Sequence, residues 1–119
     1  MNITVNESME LFVDTLQKCG VHLLEMNDDD IGYYIFEEFD VGATTFLHDN
    51  TLLILKTANL INEEISQKSS ELRSKFMNLQ DTDQWNVNSV KSSKEWREIL
   101  ELSDEIKSLM ITTTQIGKI

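Results

Sequence analysis

The chain has 119 residues, 40% of them apolar, and its 21 acids against 10 lysines and arginines give a formal net charge of −11. A single domain over residues 1–119 can bury roughly two thirds of the surface its unfolded chain exposes, and the apolar content is too evenly spread for a disordered acidic chain. A lone cysteine, Cys19, excludes an internal disulfide, the N-terminus lacks the basic and apolar regions of a secretory leader, and no apolar run approaches the ~20 residues of a membrane span, so a reducing cytoplasm is the expected home.

Taken in chain order, Glu7 to Cys19 predicts an amphipathic helix with Met9, Phe12, Val13 and Leu16 at helical spacing and Gly20 as terminator. Residues 21–39 are ambiguous. Val21, Leu23, Leu24 and the stretch from Tyr33 to Phe39 are strand formers around a turn-like Asn27 to Asp30, which suits a short β-hairpin. The competing expectation is a cap at Asp28 to Asp30 and a helix from Ile31 to Phe39 with Ile31, Ile35 and Phe39 on one face, although Gly32 and the acids at its far end weaken it. From Thr45 to Leu79 the residues Ile54, Ala58, Ile61, Ile65, Leu72, Phe76 and Leu79 form a core-facing stripe, on one rod or with a break near His48 to Asn50. Gln80 to Val90 predicts a connector pinned by Trp85, Val87 and Val90. Ser92 and Glu95 match a capping box for a last helix that buries Trp96, Ile99, Leu102, Ile106, Leu109 and Met110, and the tail from Thr112 to Ile119 has no periodic signal. With no linker and no internal repeat, the expected fold is mainly α, a small antiparallel helical bundle, with the hairpin at 21–39 as its one β alternative.

The charge is unevenly placed. Residues 1–50 hold eleven acids and one base, Lys18; residues 51–119 hold ten acids and nine bases; residues 25–40 hold seven acids and no base. Such a field repels nucleic acid and anionic lipid, whose binding requires Lys and Arg, and speeds encounter with a basic protein surface.

Residues that could carry chemistry are sparse. Aligned as a calcium loop, Asn27, Asp29, Gly32 and Glu38 fall at positions one, three, six and twelve, but Ile31 at five and Asn27 at one break the ligand set. Cys19 and His22 are half of a zinc site with no second pair, His48 being the one other histidine. Glu37 with Glu38, and Glu63 with Glu64, are neighbours in sequence and so diverge rather than converge on one bond. No phosphate loop or nucleophile elbow occurs. The expectation is therefore no enzyme, no cofactor and no metal. Tyr33, Tyr34, Phe36 and Phe39 interleave with Glu37, Glu38 and Asp40, the aromatic-with-charge pattern of protein interfaces.

These features point to an acidic protein-binding inhibitor, of the kind represented by immunity proteins and antitoxins that neutralise a basic toxin such as a nuclease. Glu25, Asp28, Asp29, Asp30, Glu37, Glu38 and Asp40 would steer the partner, and Tyr33 and Tyr34 would anchor it. The alternatives are a nucleic-acid mimic that antagonises a DNA-binding defence protein, and a helical module that self-associates through the Thr51 to Leu79 stripe.

Overall fold

The computed structural model describes residues 3–117, with side chains described as far as Ile111. The fold is mainly α, and no strand occurs among the described residues. No helix there is long and apolar enough to cross a membrane.

Helix α1 (Val5–Gln17) starts two residues earlier than its apolar spacing predicts, because Thr4 and Glu7 form a capping box: the Glu7 amide donates to Thr4 Oγ1 at 3.0 Å and the Thr4 amide to Glu7 Oε1 at 3.2 Å. Phe12 and Leu16 are buried from its inner face. The end of α1 is tied across the molecule. Ser103 Oγ lies 3.1 Å from the Leu16 carbonyl and 2.8 Å from the Cys19 carbonyl, Lys107 Nζ donates to the Cys19 carbonyl at 2.8 Å, and the Val21 amide donates to Asp104 Oδ2 at 3.0 Å. Carbonyls at the helix end thus gain donors from a distant helix, that of Leu16 in addition to the Cys19 amide at 3.2 Å. Gly20 does more than stop α1: a Cβ there would stand 2.5 Å from Asp104 Oδ1, 2.8 Å from His22 Nδ1 and 2.9 Å from Lys107 Nζ, so a side chain at this crossing would push those polar ends aside. Burial pushes the Cys19 thiol up to about 12, against the pull of Lys107 and Ser103.

A 3-10 turn (Val21–Glu25) delivers Leu23 to the core, and then three segments run end to end as one helix: α2 (Asp28–Tyr33), a π segment (Tyr34–Phe39) and α3 (Asp40–Thr45). The hairpin expectation for 21–39 is therefore corrected. Strand propensity loses here to a cap and to packing. Asn27 Oδ1 accepts the Asp30 amide at 2.8 Å, so the cap sits one residue earlier and the helix begins three residues earlier than the helical alternative had it. Three acids in the first turn favour the positive end of the helix. Ile31, Ile35, Phe39 and Ala43 recur every four residues and are fully buried. In a regular α-helix each step of four would drift by about 40°, so the wider π turn in the middle keeps the stripe on one face.

The long rod is also corrected. Helix α4 (Asp49–Thr57) is separated from α3 by a turn at 46–48, where His48 Nδ1 accepts the Asn50 amide at 3.1 Å. It ends in a Schellman motif: Asn59 is left-handed with φ 62°, and the Leu60 and Asn59 amides donate to the Leu55 and Lys56 carbonyls at 2.9 and 3.0 Å. Asn62 then caps α5 (Glu63–Asn78) by accepting the Ile65 amide at 2.8 Å. This break turns the expected stripe: Ile54 is 49% exposed and Ala58 is exposed, and Leu52 and Leu55 take the core positions, whereas Ile61, Ile65, Leu72, Phe76 and Leu79 are buried as expected.

Part of the Gln80 to Val90 connector is helical, as α6 (Val87–Ser92), and α7 (Lys94–Gly117) follows after one residue. Ser93, not Ser92, supplies the hydroxyl that accepts the Trp96 amide, at 3.1 Å; Ser92 Oγ donates back to the Asn88 carbonyl. The tail is helical as far as Gly117, while its last two residues lie outside the described residues. Where α5 packs along α7, the rings of Phe36, Phe39, Phe76, Trp85 and Trp96 gather with centroids 4.8 to 5.9 Å apart, edge to face except where Trp85 meets Phe76 and Trp96 at a tilt, and Trp96 Nε1 donates to the Gln84 carbonyl at 2.7 Å.

Candidate protein-binding surface

The composite helix from Asp28 to Thr45 decides what the acidic region shows to solvent. With the residues spaced by four turned inward, Asp28, Asp29, Asp30, Tyr33 and Glu37 are exposed, as is Glu25 on the preceding turn, while Tyr34, Glu38 and Asp40 are half-buried at the edges. All nine residues expected at the site thus lie on the 3-10 turn or on one continuous helix, but they are not equivalent.

Three of the acids are engaged within the molecule. Asp28 Oδ1 pairs with Lys91 Nζ of α6 at 2.9 Å, Glu38 Oε1 accepts the Tyr33 hydroxyl at 2.7 Å, and Asp40 Oδ1 accepts Gln80 Nε2 at 3.1 Å. Asp28 alone of the seven acids has an ion pair among the described residues. By contrast, in the second half Glu63, Glu98, Glu101, Asp104 and Glu105 all have cationic partners. The uneven charge of the sequence is therefore an uneven charge of the surface: Glu25, Asp29, Asp30 and Glu37 stand in solvent without a balancing cation among the described residues.

The two tyrosines divide their roles. Tyr33 is 47% exposed and its ring meets that of Tyr34 edge-on at 5.5 Å. Its hydroxyl is held above the ordinary tyrosine range first by the hydrogen bond to Glu38 and then by that carboxylate's charge. Tyr34 lies under Lys18, whose ammonium sits 5.6 Å from its ring centroid, so it joins the surface to the end of α1 more than it projects from it. Of the interleaved aromatics, Phe39 belongs to the core and Phe36, half-buried, packs against it.

Sequence reasoning passed over Val41, 66% exposed and one helical turn beyond Glu37; helical spacing from Tyr33 and Glu37 was the signal that could have found it. It also passed over Lys91, 63 residues from Asp28, for which no local pattern exists.

The residues weighed for metal or acid-base chemistry have other roles. Asn27 is a helix cap and Asp29, Gly32 and Glu38 follow it on a helix, not around a loop. Cys19 is buried whereas His22 is exposed. Glu63 accepts from Lys56 Nζ at 2.8 Å and Gln67 Nε2 at 3.0 Å, which hold its carboxyl below the usual range. No group of three or more His, Cys, Asp or Glu placed to hold a metal ion occurs among the described residues. Comparison with known protein families, with curated proteins and with solved structures finds no match, so the functional reading rests on this surface.

Proposed function

We propose that this chain is an acidic inhibitor that binds a basic protein, most simply an immunity protein or antitoxin that masks a toxin nuclease in the cytoplasm. The observation that carries the reading is the acidic helix face: seven acids within residues 25–40, one internal ion pair among them, and an exposed tyrosine in their midst. A nuclease groove is lined with cations to hold phosphates, and carboxylates presented on a rigid helix can occupy it by complementarity alone. Tyr33 supplies the large, partly apolar contact that such interfaces use as an anchor. The scaffold we infer is a small antiparallel bundle. In support, the start of α4 meets the middle of α5, Asp49 with Ser70 at 3.1 Å, and the end of α4 meets the start of α5, Lys56 with Glu63 at 2.8 Å.

The test is capture from host lysate at low salt with two baits, the native chain and an Asp29→Lys/Asp30→Lys/Glu37→Lys variant of equal stability. One basic protein held by the native bait, released as salt rises and absent from the variant bait, supports the reading. Equal capture by both baits, or no basic protein at all, removes it.

A further inference from the structure

A second surface has the opposite character. Between the 3-10 turn and the corner where α6 meets α7 lies an open cleft of about 360 Å³, and its walls include Lys91, Lys94 and Arg97 but no acid. Elsewhere among the described residues five of six cations are matched singly with carboxylates, Lys18 with Asp14, Lys56 with Glu63, Lys68 with Glu105, Lys75 with Glu98 and Lys107 with Asp104, and Arg73 alone has no ion pair. In this cleft three cations share two carboxylates, both outside the lining. Lys91 pairs with Asp28, Arg97 is held by Glu101 at 3.0 Å through Nε, and Lys94 has no ion pair among the described residues. The groove between α5 and α7 makes the contrast plain, for Glu71, Glu98, Glu101 and Glu105 line it with Lys75.

The remaining walls narrow the chemistry. Val90 is buried and Leu24 half-buried, so the floor is apolar, while Lys91, Lys94 and Arg97 stand exposed around it. The hydroxyl protons of Ser92 and Ser93 are already given to the Asn88 carbonyl and Gln84 Oε1, which leaves recognition to the cations. Glu101 meets the guanidinium through Nε, so the terminal nitrogens of Arg97 keep their donors for an incoming oxyanion. Three cations that stem from separate turns cannot all meet the two oxygens of a planar carboxylate as readily as the oxygens of a tetrahedral dianion.

We propose that this cleft is a binding site for a phosphate group, bound between the Arg97 guanidinium and the Lys91 and Lys94 ammoniums. Phosphate there competes with Asp28 for Lys91. The site's chemistry is independent of the partner proposed for the acidic face.

The experiment is an amide NMR titration of the full chain with inorganic phosphate, and in parallel with phenyl phosphate, at constant ionic strength set by sodium chloride. Saturable shifts centred on residues 91–97 are expected from at least one probe. Stronger binding of phenyl phosphate assigns the group to a phosphate ester, and equal or stronger binding of inorganic phosphate assigns it to the free ion. A Lys94→Gln/Arg97→Gln variant that retains the native unfolding midpoint should bind at least tenfold more weakly, while Lys75→Gln, in the α5–α7 groove, should bind as the native chain does. Shifts that fail to saturate with both probes, or an equal loss in the Lys75→Gln chain, would overturn the site.

Discussion

Substituting Gly42 by alanine tests how the acidic helix is mounted. Gly42 is buried in α3 where it crosses α1, and a Cβ there would come within 2.6 Å of Thr15 Cγ2 and 2.9 Å of Thr15 Cβ, and would collide with Oγ1. Thr15 cannot swing away freely, because it is buried and its hydroxyl donates to the Leu11 carbonyl at 2.7 Å. Ordinary carbon contacts are ~3.5–4.0 Å, so α1 and α3 must part by about 1 Å. Overpacking costs ~1–3 kcal/mol, contacts this short fall at its upper end of ~2–3 kcal/mol, and the better helix propensity of alanine returns about 1 kcal/mol. The expected net loss is ~1–2 kcal/mol, a fall of roughly 4–8 °C in Tm for a domain of this size. Urea unfolding followed by far-UV circular dichroism measures it, and Thr15→Ala in the same chain should recover part of the loss, giving a coupling of about 1 kcal/mol in the double-mutant cycle. If Gly42→Ala is as stable as the native chain, or if Thr15→Ala recovers nothing, α3 does not seat on α1 as described.

Further outcomes follow from the polar contacts. Between pH 9 and about 12 the folded chain keeps the Cys19 proton that the unfolded chain releases, so the unfolded state binds fewer protons and stability falls as pH rises. Relative to a Cys19→Ala chain, the native chain should lose about 1 kcal/mol per pH unit in urea titrations above pH 9; parallel curves would show the thiol to be accessible. Ser103→Ala removes one donor from the carbonyls of Leu16 and Cys19, which keep the Cys19 amide and Lys107 Nζ, and should cost ~0.5–1.5 kcal/mol, read by thermal unfolding; a neutral result would mean that water replaces the hydroxyl. Glu38→Gln should lower the titration midpoint of Tyr33 toward the ordinary tyrosine value in an NMR pH series, and an unmoved midpoint would show that the 2.7 Å hydrogen bond does not form in solution.

How much of this was legible in the sequence can be judged element by element. The stripe Ile31, Ile35, Phe39 could be read as one helical face, but strand propensity and Gly32 competed with it, and nothing in spacing alone reveals that a π turn removes the drift that fours impose on an α-helix. The break between α4 and α5 had a local signal, Asn59 in the left-handed region followed by the Asn62 cap. A reading tuned to apolar spacing passed over it and so assigned Ile54 to the core. Ser92 and Ser93 are both three or four residues from suitable partners, and only the turn of α6 decides between them. The acidic face was legible because unpaired charge is a matter of composition. Its edges were not, since Lys91, Gln80 and Lys18 reach it from other elements.

The account turns on the unpaired carboxylates of the composite helix acting as a steering surface, and the rate of association with the captured basic partner measures that directly. Across a series of sodium chloride concentrations, the native chain should associate fast at low salt and slow steeply as salt rises, and the Asp29→Lys/Asp30→Lys/Glu37→Lys chain should associate at least ~10-fold more slowly at low salt with a flattened salt dependence. Superimposable rates for the two chains at every salt concentration would contradict it.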